Sequence, residues 1–338
     1  LFAHNVVGKE PKILLLEIND KIGNEDYFVK MKILITGGCG FIGSHLAVQL
    51  IRQFKTVEIV ILDDLSSGKV SNLETIESQV NLVRSDIRSY SNLLSLMSRS
   101  DYVFHLAALT SVSESIKDPL KCHDINNTGT LNVLLAAVES KVSRVIISSS
   151  CSIYGDFNSL PLLETYLPAP KSLYAASKMT AETLAESFYH SYGLETVCLR
   201  YFNVYGRRQR SDSDYAAVIP RFVECYRQRK NPQIYGDGQQ SRDFIHVSDV
   251  ARANILAATL SSSIIKQHRV FNIGTGHQTN LLDLLNLISQ QTGYYLEPDF
   301  LPSRQGEVCH SFADVNLSRE KLGFQPLVSL EEGIKSLL

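Results

Sequence analysis

The chain has 338 residues, of which 44% are hydrophobic and 20% charged, with a formal net charge of −2. That balance excludes a disordered or low-complexity chain, and so small a charge excludes a protein drawn by its field onto nucleic acid or an anionic membrane. Six cysteines in a chain this long are too sparse for a disulfide scaffold, and no two form a CxxC pair, so they read as reduced, mostly buried thiols.

The opening LFAHNVVGKEPKILLLEIND lacks the ordered basic, apolar and small-residue zones of a signal peptide. No apolar run reaches the ~18 residues of a membrane span. The expected compartment is the cytoplasm. Residues 1–30 differ in character from the rest of the chain, and the fold is expected to begin at Met31, with the first thirty residues as an extension outside it.

From Met31 two periodicities alternate. Lys32–Gly38 is a short apolar run closed by glycines, which predicts a buried strand; Phe41–Phe54 has helical spacing; Val57–Asp64 is a second apolar run that ends in acids. NLVRSD, DYVFHLAA and RVIISSS come next as strands, with helical patterns at Tyr90–Met97 and Asn127–Ser140 between them. A long helix is expected around Tyr174–Tyr192, then a strand in TVCLRYFNV. Strands that alternate with helices imply an α/β fold, a doubly wound parallel sheet of Rossmann type covered on both faces. After Asn203 loop-rich segments break the rhythm. The expected division is a dinucleotide-binding domain over 31–203, with a return near 243–273, and a smaller interleaved C-terminal substrate domain over 204–338.

The first strand-to-helix turn carries glycines at 37, 40 and 43, a GxxGxxG spacing. Glycine there permits a tight turn, lets backbone N–H groups approach a pyrophosphate and lets helix and strand pack closely. The phosphate would meet the positive N-terminus of the helix, at Phe41 and Ile42. Asp63 closes the second strand twenty residues after Gly43, where an acid grips the adenosine ribose hydroxyls. An acid there, with Asp64 beside it, favours NAD over NADP because it repels a 2′-phosphate; Arg84 and Arg88 are the cations that could argue otherwise.

Tyr174 and Lys178 stand four apart on one helical face. A free phenol is a poor base at neutral pH, and a nearby ammonium together with the positive nicotinamide of an oxidised cofactor would stabilise its phenolate. Such a tyrosine can exchange a proton with a carbinol while hydride moves. His45, His105 and His246 are scattered and read as structural. The sequons at Asn126 and Asn316 read as chance.

With these motifs in order, the chain from Met31 onward resembles the extended short-chain dehydrogenase/reductase family, and within it the NAD-dependent UDP-sugar 4-epimerases. The resemblance is carried by TGGCGFIGSHL, DDLSSG, Asp86-Ile87-Arg88, HLAA at 105–108, SSSCSIYG at 148–155, YAASK, LRYFNVYG at 199–206, GDGQQSRDFIHVSDV at 236–250, FNIGTG at 271–276 and RQGE at 304–307. It implies that Asp86 and Ile87 flank the adenine and that Leu106, Ala107 and Ala108 line the cofactor. It implies that Ser150, with Ser152 as a second candidate, bonds the sugar 4-oxygen beside Tyr174, and that Lys178 also grips the nicotinamide ribose. Asn126 matches an asparagine near the bound sugar nucleotide, and Asn203 the UDP-binding asparagine. Arg242 and Arg304 match the diphosphate and ribose clamps, and Glu307 the acid on the uridine ribose. Ser311, four residues after Glu307, matches the position that gates the sugar pocket, where a bulky tyrosine excludes N-acetylated sugars and a small residue admits them. The branch most resembled acts on UDP-N-acetylglucosamine and UDP-N-acetylgalactosamine. The implied enzyme is a homodimeric isomerase that passes through a 4-keto sugar. A UDP-glucuronate 4-epimerase, a decarboxylase or dehydratase, a net NAD-consuming dehydrogenase and a catalytically idle NAD-sensing protein stay open as rivals.

Overall fold

The computed structural model describes residues 31–156, 159–210, 217–303 and 309–338. The extension over 1–30, together with Arg304 and Glu307, lies outside the described residues.

Strand β1 (Met31–Thr36) has Ile33, Leu34 and Ile35 fully buried, because helices cover both faces of the sheet. The glycine turn leads into α1 (Phe41–Gln53), then β2 (Val57–Asp63), a 3₁₀ segment over Val70–Gln79, β3 (Val80–Arg84), α2 (Tyr90–Met97) and β4 (Tyr102–His105). The next crossover is more elaborate than its sequence pattern suggested. Short helices α3 (Val112–Lys117) and α4 (Pro119–His123) run through a π turn, Asp124–Thr128, into α5 (Gly129–Glu139). Proline at the start of α4, after Asp118 whose carboxylate accepts from Lys121 N, explains the break between the two short helices. Strand β5 (Arg144–Ser150) and a 3₁₀ turn, Cys151–Tyr154, precede α6 (Leu173–Tyr192). Ser172 caps α6 by accepting from Ala175 N, and Gly193 ends it in the left-handed conformation at φ 69°.

The stretch read as one strand, TVCLRYFNV, is two: β6 (Glu195–Tyr201) stays in the main sheet and β7 (Asn203–Tyr205) leaves it. Beyond lie α7 (Val218–Gln228), β8 (Gln233–Tyr235), β9 (Ser241–Arg242), β10 (Phe244–His246), α8 (Val247–Thr259), α9 (Ser262–Ile265), β11 (Val270–Ile273), β12 (Thr279–Asn280), α10 (Leu281–Thr292), β13 (Asp299–Leu301), β14 (His310–Ser311), α11 (Asn316–Lys321) and α12 (Leu330–Lys335).

Among the described residues, seven strands form one sheet in the order β11-β6-β5-β4-β1-β2-β3, with parallel pairing throughout. Alternate residues feed opposite cores. Ile33, Ile35, Ile59, Ile61 and Phe104 pack on one face with Leu46 of α1 and Val250 of α8. Leu34, Val60, Leu62, Val103 and Ile147 pack on the other with Leu93 of α2, Val133 of α5 and Phe188 of α6. The chain order reverses between β1 and β4, which opens a crevice at the carboxyl ends of the strands, where ligands bind in such sheets. A separate apolar cluster joins α7 and α10 through Phe222, Tyr226, Leu284 and Ile288. All six cysteines are free; Cys39, Cys122 and Cys198 are buried, Cys151 and Cys225 half-buried, and Cys309 is exposed, which corrects the expectation for that last position.

At Gly43 a Cβ would stand 2.3 Å from the Gly37 carbonyl oxygen and 2.8 Å from Gly38 Cα, and neither backbone atom can swing aside. Gly43→Ala is expected to destabilise the chain by about 2 kcal/mol and to weaken NAD binding, measured as a lowered denaturant midpoint and a raised Kd. An unchanged midpoint would show that the turn relaxes freely.

Candidate active site

The crevice opens into a cavity of about 1080 Å³. Gly37, Gly40, Phe41, Ile42 and Gly43 line one part, with Asp63, Asp86, Ile87, Leu106, Ala107 and Ala108; Ser150, Tyr174 and Lys178 line the same space. The structure thus brings together in one cavity the glycine turn, Asp63 at the end of β2, and the Tyr174–Lys178 pair. Helix α1 starts at Gly40 with no side-chain cap and no acid in its first turn, so its free N–H groups face an anion unopposed. A Cβ at Gly37 would stand 2.7 Å from Ala107 N, so only glycine allows the turn to pass this close to the end of β4. This cradle and its acid fit a dinucleotide.

Asp63 is 5% exposed. Its carboxylate accepts from Cys39 N at 2.9 Å and Leu65 N at 2.8 Å, which ties the turn after β1 to the end of β2 and leaves further lone pairs for a ribose. Burial raises its pKa, and those two bonds oppose the rise. Arg88 forks onto Asp86 at 2.7–3.1 Å, and Arg84 is exposed, so Arg88 is already paired with an acid rather than held ready for a 2′-phosphate.

The part of the cavity that holds Tyr174 and Lys178 is made by α6 lying against the carboxyl end of β5. Lys178 Nζ donates to Ser148 O at 2.9 Å and Ser148 Oγ at 3.3 Å. The Tyr174 hydroxyl is hydrogen-bonded to Ser150. Ser149 Oγ donates to Glu182 Oε1 at 2.5 Å. Tyr174, Lys178 and Glu182 form one i, i+4, i+8 stripe, and each meets one residue of the SSS run. Arg200 locks Glu182 through Nε at 3.0 Å and Nη2 at 2.8 Å, and its Nη1 donates to the Tyr154 hydroxyl and to Glu164 O. Arg200 lies inside the LRYFNVYG motif, which assigns it no role, and Glu182 lies outside the motifs, although it stands eight residues after Tyr174 on the same helical face.

Burial pushes the Tyr174 phenol up to about 12, and the bond to Ser150 pulls the other way. Burial brings the Lys178 ammonium down to about 8. Its Nζ stands 5.8 Å from the Tyr174 ring centroid. Desolvation therefore outweighs the lysine's field, and the expected lowering of the phenol does not come from the protein's own cation.

Asn126 does not line the cavity. It sits in the π turn, 4% exposed, bonded to Leu109 N and O and to Ser177 Oγ. Ser177 Oγ donates in turn to Tyr174 O, so Asn126 braces the helix from behind. Ser152 also stands off the cavity lining; its N donates to Ser150 Oγ at 3.2 Å, and its own buried Oγ has no partner among the described residues. His105, read as structural, bridges Thr36 Oγ1 at 2.8 Å and Thr130 Oγ1 at 2.9 Å, and burial keeps it neutral, down to about 3.

A second cavity of about 350 Å³ shares Val204 and Ala217 with the first. Asn203, Gln240, Arg242, Phe244 and Leu281 line it. Asn203 Nδ2 and Gln240 Oε1 are buried there with no partner among the described residues. Ser311 on β14 pairs with Arg242 of β9, is 7% exposed and bonds Cys151, the neighbour of Ser150.

Residues 33–274 match the model of the NAD dependent epimerase/dehydratase family. The chain is 36% identical over 309 residues to a putative UDP-glucose 4-epimerase of Methanocaldococcus jannaschii, covering 90% of this chain and 97% of that protein. It is 38% identical to the UDP-N-acetylglucosamine 4-epimerase of Methanobrevibacter ruminantium M1 in complex with UDP-N-acetylmuramic acid, with TM-score 0.86 over 92% of this chain and 97% of that one. It is 32% identical to a UDP-glucuronic acid 4-epimerase of Bacillus cereus solved with NAD, with TM-score 0.83 over 90% and 97%. The chain belongs to the NAD dependent epimerase/dehydratase family, and its cofactor is NAD.

Proposed function

We propose that this NAD-dependent UDP-sugar 4-epimerase, an isomerase, takes UDP-N-acetylglucosamine and UDP-N-acetylgalactosamine as its main substrates and UDP-glucose and UDP-galactose as lesser ones. The reading rests on Ser311 as the small residue at the gating position; it is buried next to Cys151, lines neither cavity, and a serine there is compatible with an acetamido group where a bulky side chain would not be. The second cavity supports a UDP moiety. Its unpartnered buried donor on Asn203 and acceptor on Gln240 suit the amide edge of a pyrimidine, and Arg242 supplies a forked cation for a diphosphate. Arg304 and Glu307 complete this part of the proposal from the sequence resemblance.

When bound, NAD supplies a reversible hydride acceptor. Tyr174 takes the proton of the 4-hydroxyl and later returns it; Ser150, bonded to Tyr174, holds the same oxygen; Lys178 anchors the ribose and keeps positive charge near the phenol. Asp63 holds the adenosine ribose, and Asp86 and Ile87 border the adenine. Asn126 and Ser152 are assigned positioning roles. The division into a dinucleotide unit over 31–203 with its return at 243–273, and a substrate unit over 204–338, belongs to the same reading. So does a homodimer, which the exposed apolar side chains Val112, Ile116, Leu120 and Leu173 on α3, α4 and α6 support. Six unpaired thiols fit a reducing, cytoplasmic setting.

Tyr174→Phe is expected to fold and retain NAD while kcat falls by roughly 100-fold or more; a near-normal kcat would remove the tyrosine from its role. Because burial brings Lys178 to about 8, its charge is present below that pH and lost above it, so kcat should decline as pH rises past the lysine's pKa. Lys178→Arg keeps its charge throughout and should abolish that alkaline limb, and a limb unchanged in the variant would assign it to another group. Substrate choice is tested with a panel of UDP-N-acetylhexosamines, UDP-hexoses and UDP-glucuronate and no added cofactor. Ser311→Tyr should lower kcat/KM for the N-acetylated pair by roughly 10- to 100-fold through steric exclusion and leave the hexose pair within about threefold. Equal conversion of the N-acetylated pair by wild type and variant would defeat the gate.

A further inference from the structure

The loop after β7 brings a further cation into the cofactor cavity. Arg208 lines the cavity together with Gly37, Gly40, Phe41, Ile42 and Gly43. Its Nη1 is buried and has no acceptor among the described residues. Among those residues, the only charged group that bears on its pKa is another cation, Arg52 near the end of α1, and this repulsion adds to burial in pulling the guanidinium below its ordinary value. A buried guanidinium nitrogen with no acceptor and a like charge beside it is costly.

The backbone adds a second, independent sign. Arg208 holds φ 69°, the left-handed region that favours glycine, and the residue there is the longest cation instead. Strain of this kind persists where the surroundings hold it and clusters where a side chain must be delivered to a ligand. The surroundings here are α1 itself. His45, one turn into that helix, bonds Arg207 O through Nε2 at 3.0 Å. Burial, with Arg208 and His246 adding to it, holds the His45 imidazole down at about 4, so it docks the loop as a neutral ring. The loop that carries Arg208 is thereby docked on the helix whose uncapped N-terminus faces the cavity.

We propose that Arg208 is a cofactor-binding residue whose guanidinium clasps the pyrophosphate of the dinucleotide at the N-terminus of α1, with His45 as the residue that docks its loop. A pyrophosphate is the part of the cofactor that offers a dense double anion, and a forked guanidinium matches its oxygens. The substrate's diphosphate is the competing anion. It has its own arginine, Arg242, which lines the second cavity, whereas Arg208 does not line that one.

Arg208→Gly separates ligand from fold. Glycine relieves the positive φ, so the nucleotide-free full chain should melt at or above the wild-type temperature. The clasp predicts that calorimetric titration gives at least a tenfold weaker Kd for ADP-ribose, which carries the pyrophosphate, and less than a twofold change for AMP and for UDP. Arg208→Lys should fall between, since it keeps a charge and loses the fork. ADP-ribose affinity equal to wild type would overturn the proposal. So would a loss confined to UDP, which would assign the guanidinium to the substrate, or an equal loss for all three probes together with a lowered melting temperature, which would make it a structural residue.

Discussion

The placement of α6 along the carboxyl end of β5 is the constraint on which the site depends. One helix stripe, Tyr174, Lys178 and Glu182, meets three consecutive serines of one strand. Consecutive strand residues point to opposite faces, whereas residues four apart on a helix share one. Both patterns are served because Lys178 takes the Ser148 backbone carbonyl, a contact that does not depend on which face the serine side chain occupies. The buried Glu182–Arg200 pair holds this junction. Losing one partner of such a pair leaves a charge stranded, at a cost of about 3–5 kcal/mol. Arg200 then carries the connection to Tyr154 and Glu164, and Tyr154 to Asn272, so the strand end, the 160s loop and β11 share one polar network.

The same burial that orders these groups sets their acid–base character. It raises the phenol and lowers the ammonium, the opposite of what an isolated tyrosine–lysine pair in water would do. Positive charge brought into the cavity beside the phenol would oppose that rise. His105 belongs to the same regime. Held neutral between two threonines, it links the end of β1 to the first turn of α5 without adding charge there.

The two cavities adjoin each other. Arg208 and Arg210 line the first and Arg242 the second, and Val204 and Ala217 line both. Strand β7 makes this possible. It leaves the main sheet one residue after β6, pairs with β10 instead, and delivers Asn203 to one cavity and the loop with Arg208 to the other.

The sequence by itself determined the alternating sheet, the glycine turn with Asp63, and the tyrosine–lysine pair, because each is a local pattern in which spacing alone places residues on one face or in one turn. The reading of mostly buried thiols is met only in part, with Cys39, Cys122 and Cys198 buried, Cys151 and Cys225 half-buried and Cys309 exposed. Other features were decided by tertiary structure. Asn126 matches a sugar-side position, yet the π turn rotates it behind the helix, where Leu109 and Ser177 occupy its amide. Glu182 and Arg200 lie on different elements, eighteen residues apart, and meet only when α6 packs on the sheet. Arg208 is one of several arginines in a polar loop, and nothing local distinguishes it from a solvated charge. Its buried nitrogen and left-handed backbone arise because the loop docks on α1, far away in sequence. Periodicity and spacing report on neighbours along the chain, whereas burial, stranded charge and shifted pKa values depend on which distant segments close around a group.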